Sequence, residues 1–423
     1  MRGRTPKQKP DNVAVLDIGS SKTVCLIGQL EPNFGVRLIG SGVSVSAGMK
    51  SGVVGDMEAV ETGIRKAVQK AEREAEVAVH EVSVNLTARS MISERVTAHT
   101  EIAGSEVSDR DVKRLYSSTL AEFAEPNQTI LHAIPLNWSV DGETNIQDPR
   151  GMFGSTLDVD MHFLLSGVGP LRNLAHSIER CHMRIKSVTA SPYAAGIAVL
   201  TDDEKDLGVT LIDLGGGVTS ACIFRDNKLV HAESMPVGGK TVTNDVARGL
   251  MTPMEAAERI KVIYGSALHG ANDDNELIPC PPMGAQDTLH NESRSILTTI
   301  IRSRVEETLE ILRDRLLESQ LNEYAGRRIV LTGGGAQLTG VRELAEYIFN
   351  KRVRIGRPHG IMGLSEMLSG PDFAVSAGLL KKEFISIEEA ISGPPDLSGR
   401  RYRQKRYSGG GIGRSIQWLK ENF

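Results

Sequence analysis

The chain has 423 residues, and its 49 Lys and Arg against 53 Asp and Glu give a formal net charge of −4. This length predicts several domains rather than one hydrophobic core, and no apolar run approaches the roughly 20 residues that span a bilayer. Residues 1–10 carry four basic groups and no acid, and residues 397–423 carry seven basic groups and one acid, which leaves −14 for the body. An acidic body argues against a nucleic-acid-binding core, whereas basic ends favour a negatively charged surface.

The amino-terminal residues 1–11 are basic and have no apolar segment behind them. We therefore expect a disordered tail rather than a secretory signal. The cysteines lack metal-ligand spacing, and two of them, Cys25 and Cys222, lie in apolar strand-like runs where they are expected as small core residues. A reducing cytoplasm is the simplest compartment for such a chain.

Two segments 196 residues apart, 13–27 and 209–223, share one layout. Each has an apolar β run, an Asp, a glycine-rich turn and a second β run, and each continues through another turn into a third strand. The aligned pairs are Asp17 and Asp213, Gly19 and Gly215, Thr23 and Thr219, and Ile27 and Ile223. Two β-meanders that begin alike predict a protein built of two similar halves.

Helical patterns follow the strands. Asp56 is a candidate cap for a helix through about residue 78, and residues 252–255, Thr-Pro-Met-Glu, form a capping-box pattern with Pro at the first helical position. A long amphipathic helix is predicted from about residue 294 to 317, and a buried strand at 328–332. Residues 89–165 differ in character and predict a compact inserted module, whereas residues 269–293 predict a long exposed loop.

The glycine-rich turns are candidate phosphate sites, because their backbone N–H groups can close around phosphate oxygens. The candidate residues are Gly19, Ser20, Ser21 and Lys22 in the first turn, and Gly215, Gly216, Gly217, Val218 and Thr219 in the second. Asp17 and Asp213, at the strand ends, are the proposed pair for Mg²⁺, which keeps most of its waters and bridges to phosphates. Any one turn alone also suits a structural hairpin, so the prediction of nucleotide binding rests on the pairing.

A third glycine turn, Gly333, Gly334 and Gly335, has no acid before it. Small residues there would let a flat base or a ribose approach the backbone. No Walker-type lysine motif is present, since none of the glycine runs ends in Gly-Lys-Ser/Thr in the required frame.

The last twelve residues form an amphipathic pattern. On a helix, Ile412, Ile416, Leu419 and Phe423 fall within about 60° of one another, and Trp418 flanks that stripe. A basic, glycine-rich tether precedes them, a combination suited to the headgroup region of an anionic membrane. The alternative is a terminal helix docked on the protein's own body.

These motifs resemble the actin-like ATPases and, within them, the FtsA family of bacterial cell-division proteins. Residues 17–23 and 213–219 resemble the two phosphate motifs, residues 331–335 the adenosine motif, and Glu258 and Lys261 the pair that flanks adenine and ribose. The resemblance implies an α/β, actin-like (ribonuclease-H-like) duplicated fold of two halves around a nucleotide cleft. It also implies an FtsA-type inserted α+β subdomain and a C-terminal amphipathic helix.

The implied domains follow the chain. Subdomain IA is expected at 12–88 and 166–204, the inserted subdomain IC at 89–165, IIA at 205–240 and 325–388, and IIB at 241–324. A flexible basic linker at 389–411 and a membrane-targeting helix at 412–423 complete the chain.

The resemblance implies an ATP- and Mg²⁺-binding protein that forms protofilaments and holds the C-terminal peptide of FtsZ to the cytoplasmic face of the inner membrane at the septum. Later division proteins are further partners, and nucleic acid is not one. Arg304 matches a basic position of the FtsZ pocket, although a solvated helix face explains it equally well. Ser187 falls where actin carries a water-positioning Gln, with no acid or amide nearby, so very slow hydrolysis is expected.

Other classes fit less well. A sugar kinase would need a catalytic acid in a substrate cleft, and a chaperone of the DnaK type would need a large domain after residue 390. The best rival is another actin-like scaffold of the PilM or MreB type. MreB-like proteins lack the inserted module, and PilM-like proteins are not expected to end in a basic tether and an amphipathic helix.

Overall fold

A computed structural model describes residues 12–31, 35–89, 91–122, 127–284, 290–319, 321, 324–385, 387–391 and 393–395. The predicted basic tail, the tether beyond residue 395 and the predicted terminal helix lie outside these residues. Within the described ranges, no helix is both long enough and apolar enough to cross a membrane.

The chain up to residue 167 forms ten strands and two helices among the described residues. The strands are β1 (Asn12–Ile18), β2 (Lys22–Glu31), β3 (Gly35–Val45), β4 (Met49–Lys50), β5 (Val53–Val54), β6 (Glu81–Leu86), β7 (Ile92–Glu101), β8 (Gln128–Val140), β9 (Glu143–Ile146) and β10 (Thr156–Gly167). The helices are α1 (Met57–Ala75) and α2 (Asp109–Glu122).

The rest of the described chain alternates helices and strands. The strands are β11 (Arg184–Ala190), β12 (Val209–Leu214), β13 (Thr219–Arg225), β14 (Lys228–Met235), β15 (Leu277–Cys280), β16 (His290–Ser293), β17 (Arg328–Thr332) and β18 (Arg352–Ile355). The helices are α3 (Val168–Glu179), α4 (Ser191–Val199), α5 (Asp202–Leu207), α6 (Gly239–Gly249), α7 (Met254–Tyr264), α8 (Arg294–Glu318), α9 (Val341–Phe349) and α10 (Ala374–Lys382).

Two five-stranded sheets share one topology, which confirms the predicted duplication. Their strand orders are β11-β6-β1-β2-β3 and β14-β13-β12-β17-β18. In each, three antiparallel strands form a meander, and two later strands run parallel to its first strand. The register repeats as well, since Asp17 pairs with Val24 and Asp213 with Ser220, again 196 residues apart.

Residues 89–165 form the predicted α+β module. Its sheet has the order β7-β10-β8-β9, α2 contacts β7, and its own core includes the fully buried Trp138 and Phe163. The module contacts both halves: His132 Nε2 accepts from the Ala190 N–H at 3.0 Å, and His162 Nδ1 lies 3.0 Å from the Leu229 carbonyl oxygen.

The chain that follows α10 returns to this module. Glu389 Oε2 lies 2.9 Å from His132 Nδ1, and the Ala390 N–H donates to the Ala133 carbonyl oxygen at 2.8 Å. The side chains of Ala390 and Ile391 pack against the core of the module. Residues 389–391 are therefore docked, and the linker predicted from 389 does not begin there.

The predicted helix cap at Asp56 is confirmed, whereas two predictions for residues 252–293 are not. Asp56 caps α1 by accepting from the Ala59 N–H, although the helix ends at Ala75. The capping box at 252–255 is wrong: α7 begins at Met254, and Thr252 Oγ1 donates instead to the Pro281 carbonyl oxygen at 2.7 Å. The loop predicted at 269–293 is also wrong in part, because β15 and β16 form an antiparallel pair there that buries Ile278 and Cys280.

Helices α4 and α10 cross at very close range. A Cβ built on Gly378 would lie 1.7 Å from the carbonyl oxygen of Ala194, and one on Gly196 would lie 2.4 Å from the Phe224 ring. Gly378 therefore allows α10 to meet α4 backbone to backbone, and Gly196 allows α4 to pack against Phe224 of β13.

We expect Gly378→Ala to destabilise the protein by about 2 kcal/mol, because the new methyl forces α4 and α10 apart. Thermal unfolding should show a melting temperature lower by several degrees. Gly169→Ala is the matched control, since its Cβ would meet no atom within 4 Å. An unchanged melting temperature for Gly378→Ala would contradict this packing.

Candidate nucleotide site

The first and second glycine turns have the same backbone geometry. The Gly19 N–H donates to the Lys22 carbonyl oxygen at 3.0 Å, and the Gly215 N–H donates to the Val218 carbonyl oxygen at 3.1 Å. Each bond closes a turn between the first two strands of a meander. The repeat seen in the sequence is thus a repeat of turn geometry.

The two turns face each other across the boundary between the halves. A Cβ on Gly216 would lie 1.9 Å from Ser21 Oγ, and one on Gly217 would lie 2.5 Å from Ser20 Oγ and 3.1 Å from the Ser51 Cα. Residues at these positions therefore have no room for a side chain. The backbone amides of both turns are brought together, an arrangement that suits an anion with several oxygens.

Asp17 and Asp213 end the first strands of the two meanders, and each is 8% exposed. Burial raises the pKa of Asp17 to about 7, the nearby Lys22 opposes that rise, and the Asp213 carboxylate adds to it. Burial raises the pKa of Asp213 to about 6. Two desolvated carboxyls close enough to interact are a site that a divalent cation would stabilise.

The described residues hold no group of three or more His, Cys, Asp and Glu side chains placed to bind a metal. A pair of carboxylates suits Mg²⁺ better than an ion that needs a full protein cage, because Mg²⁺ retains waters and bridges to phosphates. The donor set therefore fits the predicted ion.

The third glycine turn lies against the second. Gly333 has φ of +81°, and its Cβ would lie 2.2 Å from Asp213 Oδ1. A Cβ on Gly335 would lie 2.8 Å from the Leu214 Cβ, and Gly334 faces Asp372. The structure thus brings all three predicted turns to one place.

Glu258 and Lys261 lie on α7 and are joined to the second turn through Gly239. Lys261 Nζ is 2.7 Å from Glu258 Oε2, 2.8 Å from Thr243 Oγ1 and 3.2 Å from the Gly239 carbonyl oxygen. The Gly239 N–H in turn donates to the Gly215 carbonyl oxygen at 2.9 Å. Burial opposes ionisation of Glu258, but hydrogen bonds from Lys261 and Thr243 hold its pKa below the ordinary value.

Lys22 has partners that the sequence did not predict. Its ammonium pairs with the Asp372 carboxylate and lies 3.3 Å from the centroid of the Phe373 ring. Both partners sit in a short 3₁₀ turn, Pro371–Phe373. Although residues 325–388 are predicted in the second half, Phe373 packs in the core of the first half. The Gly-Pro-Asp sequence at 370–372 signals a turn, but nothing local connects it to a lysine 350 residues away.

The prediction for Ser187 is wrong. Ser187 lies in β11, where its Oγ donates to Ser83 Oγ at 2.9 Å, and the interdomain helix α4 begins at Ser191. An amide also stands near this helix: Asn85 Nδ2 donates to Ser191 Oγ at 3.1 Å, and its Oδ1 accepts from the Ile18 N–H at 2.8 Å. Both ends of that amide are engaged by protein groups.

Arg304 joins α8 to α6. Its Nε lies 2.5 Å from Asp245 Oδ2, and its guanidinium also pairs with Glu307. The side chain is 30% exposed. Arg304 is thus part of an ion-pair network rather than a freely solvated charge, and a ligand carboxylate would share it with Asp245.

The buried Asp17 makes stability depend on pH. Its pKa is about 7 in the folded protein and 3.8 as a free side chain, so between these values the folded form holds the extra proton. The contribution of Asp17 to stability is complete below about pH 4 and is lost as the pH rises through about 7.

We expect Asp17→Asn, with Mg²⁺ removed by a chelator, to raise the free energy of unfolding at pH 8 by on the order of 2 kcal/mol. Near pH 4 the variant and the parent should agree. Thermal unfolding at both pH values measures the difference, and Asp314→Asn, an exposed pair partner of Arg313, is the control. A gain that is the same at both pH values would count against the burial of a charged carboxylate.

Comparison with known proteins bears on the whole chain. Residues 210–378 match the family model of cell division protein FtsA, and residues 89–165 match the SHS2 domain inserted in FtsA. Cell division protein FtsA of Rhizobium meliloti is 40% identical over 99% of this chain and 96% of its own length. FtsA of Neisseria meningitidis is 33% identical over 99% and 100%, and that of Escherichia coli is 28% identical over 97% and 98%.

Solved structures share the fold at lower identity. A PilM–PilN type IV pilus biogenesis complex matches with a TM-score of 0.64 at 17% identity, covering 89% of this chain and 100% of that chain. MreB5 of Spiroplasma citri bound to ADP matches with a TM-score of 0.50 at 15% identity, covering 88% and 98%. These matches confirm the predicted actin-like fold. Because full-length relatives at 33–40% identity and both family models agree, the chain belongs to the FtsA family of bacterial cell-division proteins.

Proposed function

We propose that this protein binds ATP with Mg²⁺ between its two halves, assembles into actin-like protofilaments and tethers FtsZ to the cytoplasmic face of the inner membrane at the septum. The observation that carries the nucleotide part is the meeting of two equivalent glycine turns, each preceded by a buried aspartate. A cradle of amides beside a carboxylate pair is what a triphosphate with a divalent cation requires.

The residues of the cleft divide the work by their chemistry. The amides and hydroxyls of residues 19–21 and 215–219 would donate to phosphate oxygens, and the Lys22 ammonium would approach the terminal phosphate. Asp17 and Asp213 would hold Mg²⁺ through its waters. The positive charge of the ion would offset the negative charges of the two buried carboxylates and of the polyphosphate, so that they could share one buried site.

The adenosine end would lie between two groups of residues. Gly333, Gly334 and Gly335 offer bare backbone, whereas Glu258 and Lys261 offer hydrogen-bonding groups that are already fixed by Thr243 and Gly239. Hydrolysis would be very slow. The amide of Asn85, the nearest candidate at the start of α4, is already bonded to Ile18 and Ser191 and is not free to orient water.

The membrane part of the proposal rests on residues 412–423. Four apolar side chains and one flanking Trp bury little area, so one copy of this terminal segment would bind a membrane weakly. A helix this short is also marginal in water. Protofilaments would place many copies of the terminal segment on one membrane surface, and stable attachment would follow from avidity. Membrane binding would therefore depend on assembly.

Membership of the FtsA family favours division partners over the alternatives. A PilM-like or MreB-like scaffold shares the fold, but the module at 89–165 matches the domain inserted in FtsA. A sugar kinase would need a substrate pocket with a catalytic acid. FtsZ, later division proteins and a second copy of this chain are therefore the proposed partners, and nucleic acid is not.

We expect truncation after Gly399 to abolish co-sedimentation with vesicles that contain anionic lipid, and Trp418→Glu to remove most of it. Gln417→Glu is the matched control: it adds the same charge one residue earlier, at a similar angular distance from the apolar stripe, but removes no indole, and should bind nearly as well as the parent. If the truncated protein still sediments with vesicles, the tail is not the anchor.

Arg304→Gln should weaken binding of an FtsZ C-terminal peptide about three- to tenfold, because it removes a half-buried cation that a peptide carboxylate would share. Fluorescence anisotropy with a labelled peptide measures this. Arg313→Gln changes a charge nine residues on, on the opposite face of α8, and should leave the affinity unchanged. Equal affinities for the parent and Arg304→Gln would remove Arg304 from the pocket.

A further inference from the structure

Lys22 and Asp372 form an ion pair at the boundary between the halves. Lys22 belongs to the first glycine turn. Asp372 lies next to the third glycine turn, on a segment whose residues Leu368 and Phe373 pack in the core of the first half. Their side chains are 23% and 27% exposed, so the pair is partly desolvated. The Phe373 ring, 3.3 Å from the ammonium, covers a further side of it. Two neighbouring residues, Asp372 and Phe373, thus hold the ammonium of Lys22.

The second half fixes Asp372 independently of Lys22. Gln337 Nε2 donates to Asp372 Oδ1 at 3.2 Å, which leaves Oδ2 for the lysine. The preceding carbonyl, that of Pro371, accepts from the Gly333 N–H at 3.1 Å and from Thr332 Oγ1 at 3.1 Å. The carboxylate is therefore positioned by the third turn and does not depend on the lysine for its place.

A lysine ammonium that is paired with a fixed carboxylate is less available to another anion. Lys22 is also close enough to Asp17 to lower the pKa of that carboxyl. Any phosphate that approaches Lys22 therefore meets the electrostatic repulsion of Asp372 and has to displace a contact that is already made.

We propose that Asp372 is a positioning residue that competes with the terminal phosphate of the nucleotide for Lys22. This inference rests on the proposed binding of ATP in the cleft. While the pair is made, it joins the first turn to a carboxylate that also bonds Gln337 beside the third turn. When Lys22 turns to a phosphate, that contact is broken, so Asp372 lowers the affinity for ATP.

The competition has a specific signature. It acts on the phosphate that Lys22 reaches, so removing the carboxylate should favour ATP more than ADP and should leave adenosine unchanged. It also acts through Lys22, so the gain should vanish when the lysine is absent. A carboxylate with a merely structural role would give neither pattern.

The test is an equilibrium titration of the full chain, in Mg²⁺, with ATP, ADP and adenosine. We expect Asp372→Asn, which keeps an acceptor for Gln337, to bind ATP three- to tenfold more tightly than the parent, with a smaller gain for ADP. Lys22→Ala should bind ATP more weakly, and Lys22→Ala with Asp372→Asn should match Lys22→Ala alone. Asp372→Ala repeats the test with a different side chain, and melting temperatures confirm that each variant is folded.

The outcomes separate this inference from the function on which it rests. If the parent binds ATP and neither Asp372 variant binds it more tightly, or if the gain persists without Lys22, the competition is refuted while nucleotide binding stands. If the parent binds no nucleotide, both proposals fall. Asp314→Asn, a distant exposed carboxylate, should bind every ligand as the parent does.

Discussion

The structure depends on the contact between two glycine turns at the boundary of its halves. Gly216 and Gly217 touch Ser20 and Ser21 so closely that neither position admits a Cβ without displacing its neighbours. This contact places the ends of β1 and β12 side by side, and with them Asp17 and Asp213. Gly333 then fits against Asp213 only because it also lacks a side chain. The cleft is lined by backbone because the glycines at these positions have no side chain. Its buried charges are the two aspartates near the ends of β1 and β12.

The inserted module is joined to both walls of this cleft. It accepts from the start of α4 through His132 and contacts β14 through His162. After Met235, the last residue of β14, the chain turns into Gly239 and Lys240, whose amides bond the second glycine turn. Glu389 ties the segment 387–391 to His132. Contiguous contacts therefore run from the cleft through the module to residues 389–391.

The sequence predicted what repeats or what is local. The 196-residue repeat identified both meanders, both turns and both aspartates. Asp56 predicted the start of α1 because a helix cap involves only residues close in the sequence. Predictions failed where the structure of a segment depends on a partner that is distant in the sequence. Thr252 has a capping pattern, but its hydroxyl bonds Pro281, and residues 277–280 form a strand because residues 290–293 pair with them. Ser187 belongs to a strand fixed by pairing with residues 81–86. Asp372 meets Lys22 across 350 residues of sequence, so no local pattern points to it.

We propose that one ATP with Mg²⁺ binds where the two turns meet. Calorimetric titration of the full chain and of Gly217→Val tests it most directly, because the added side chain would press on Ser20 and on the backbone at Ser51. We expect one site per chain in the parent and a loss of affinity of about tenfold or more in the variant, with both proteins still folded by circular dichroism. Equal affinity in the two proteins, or no binding by the parent, would contradict it.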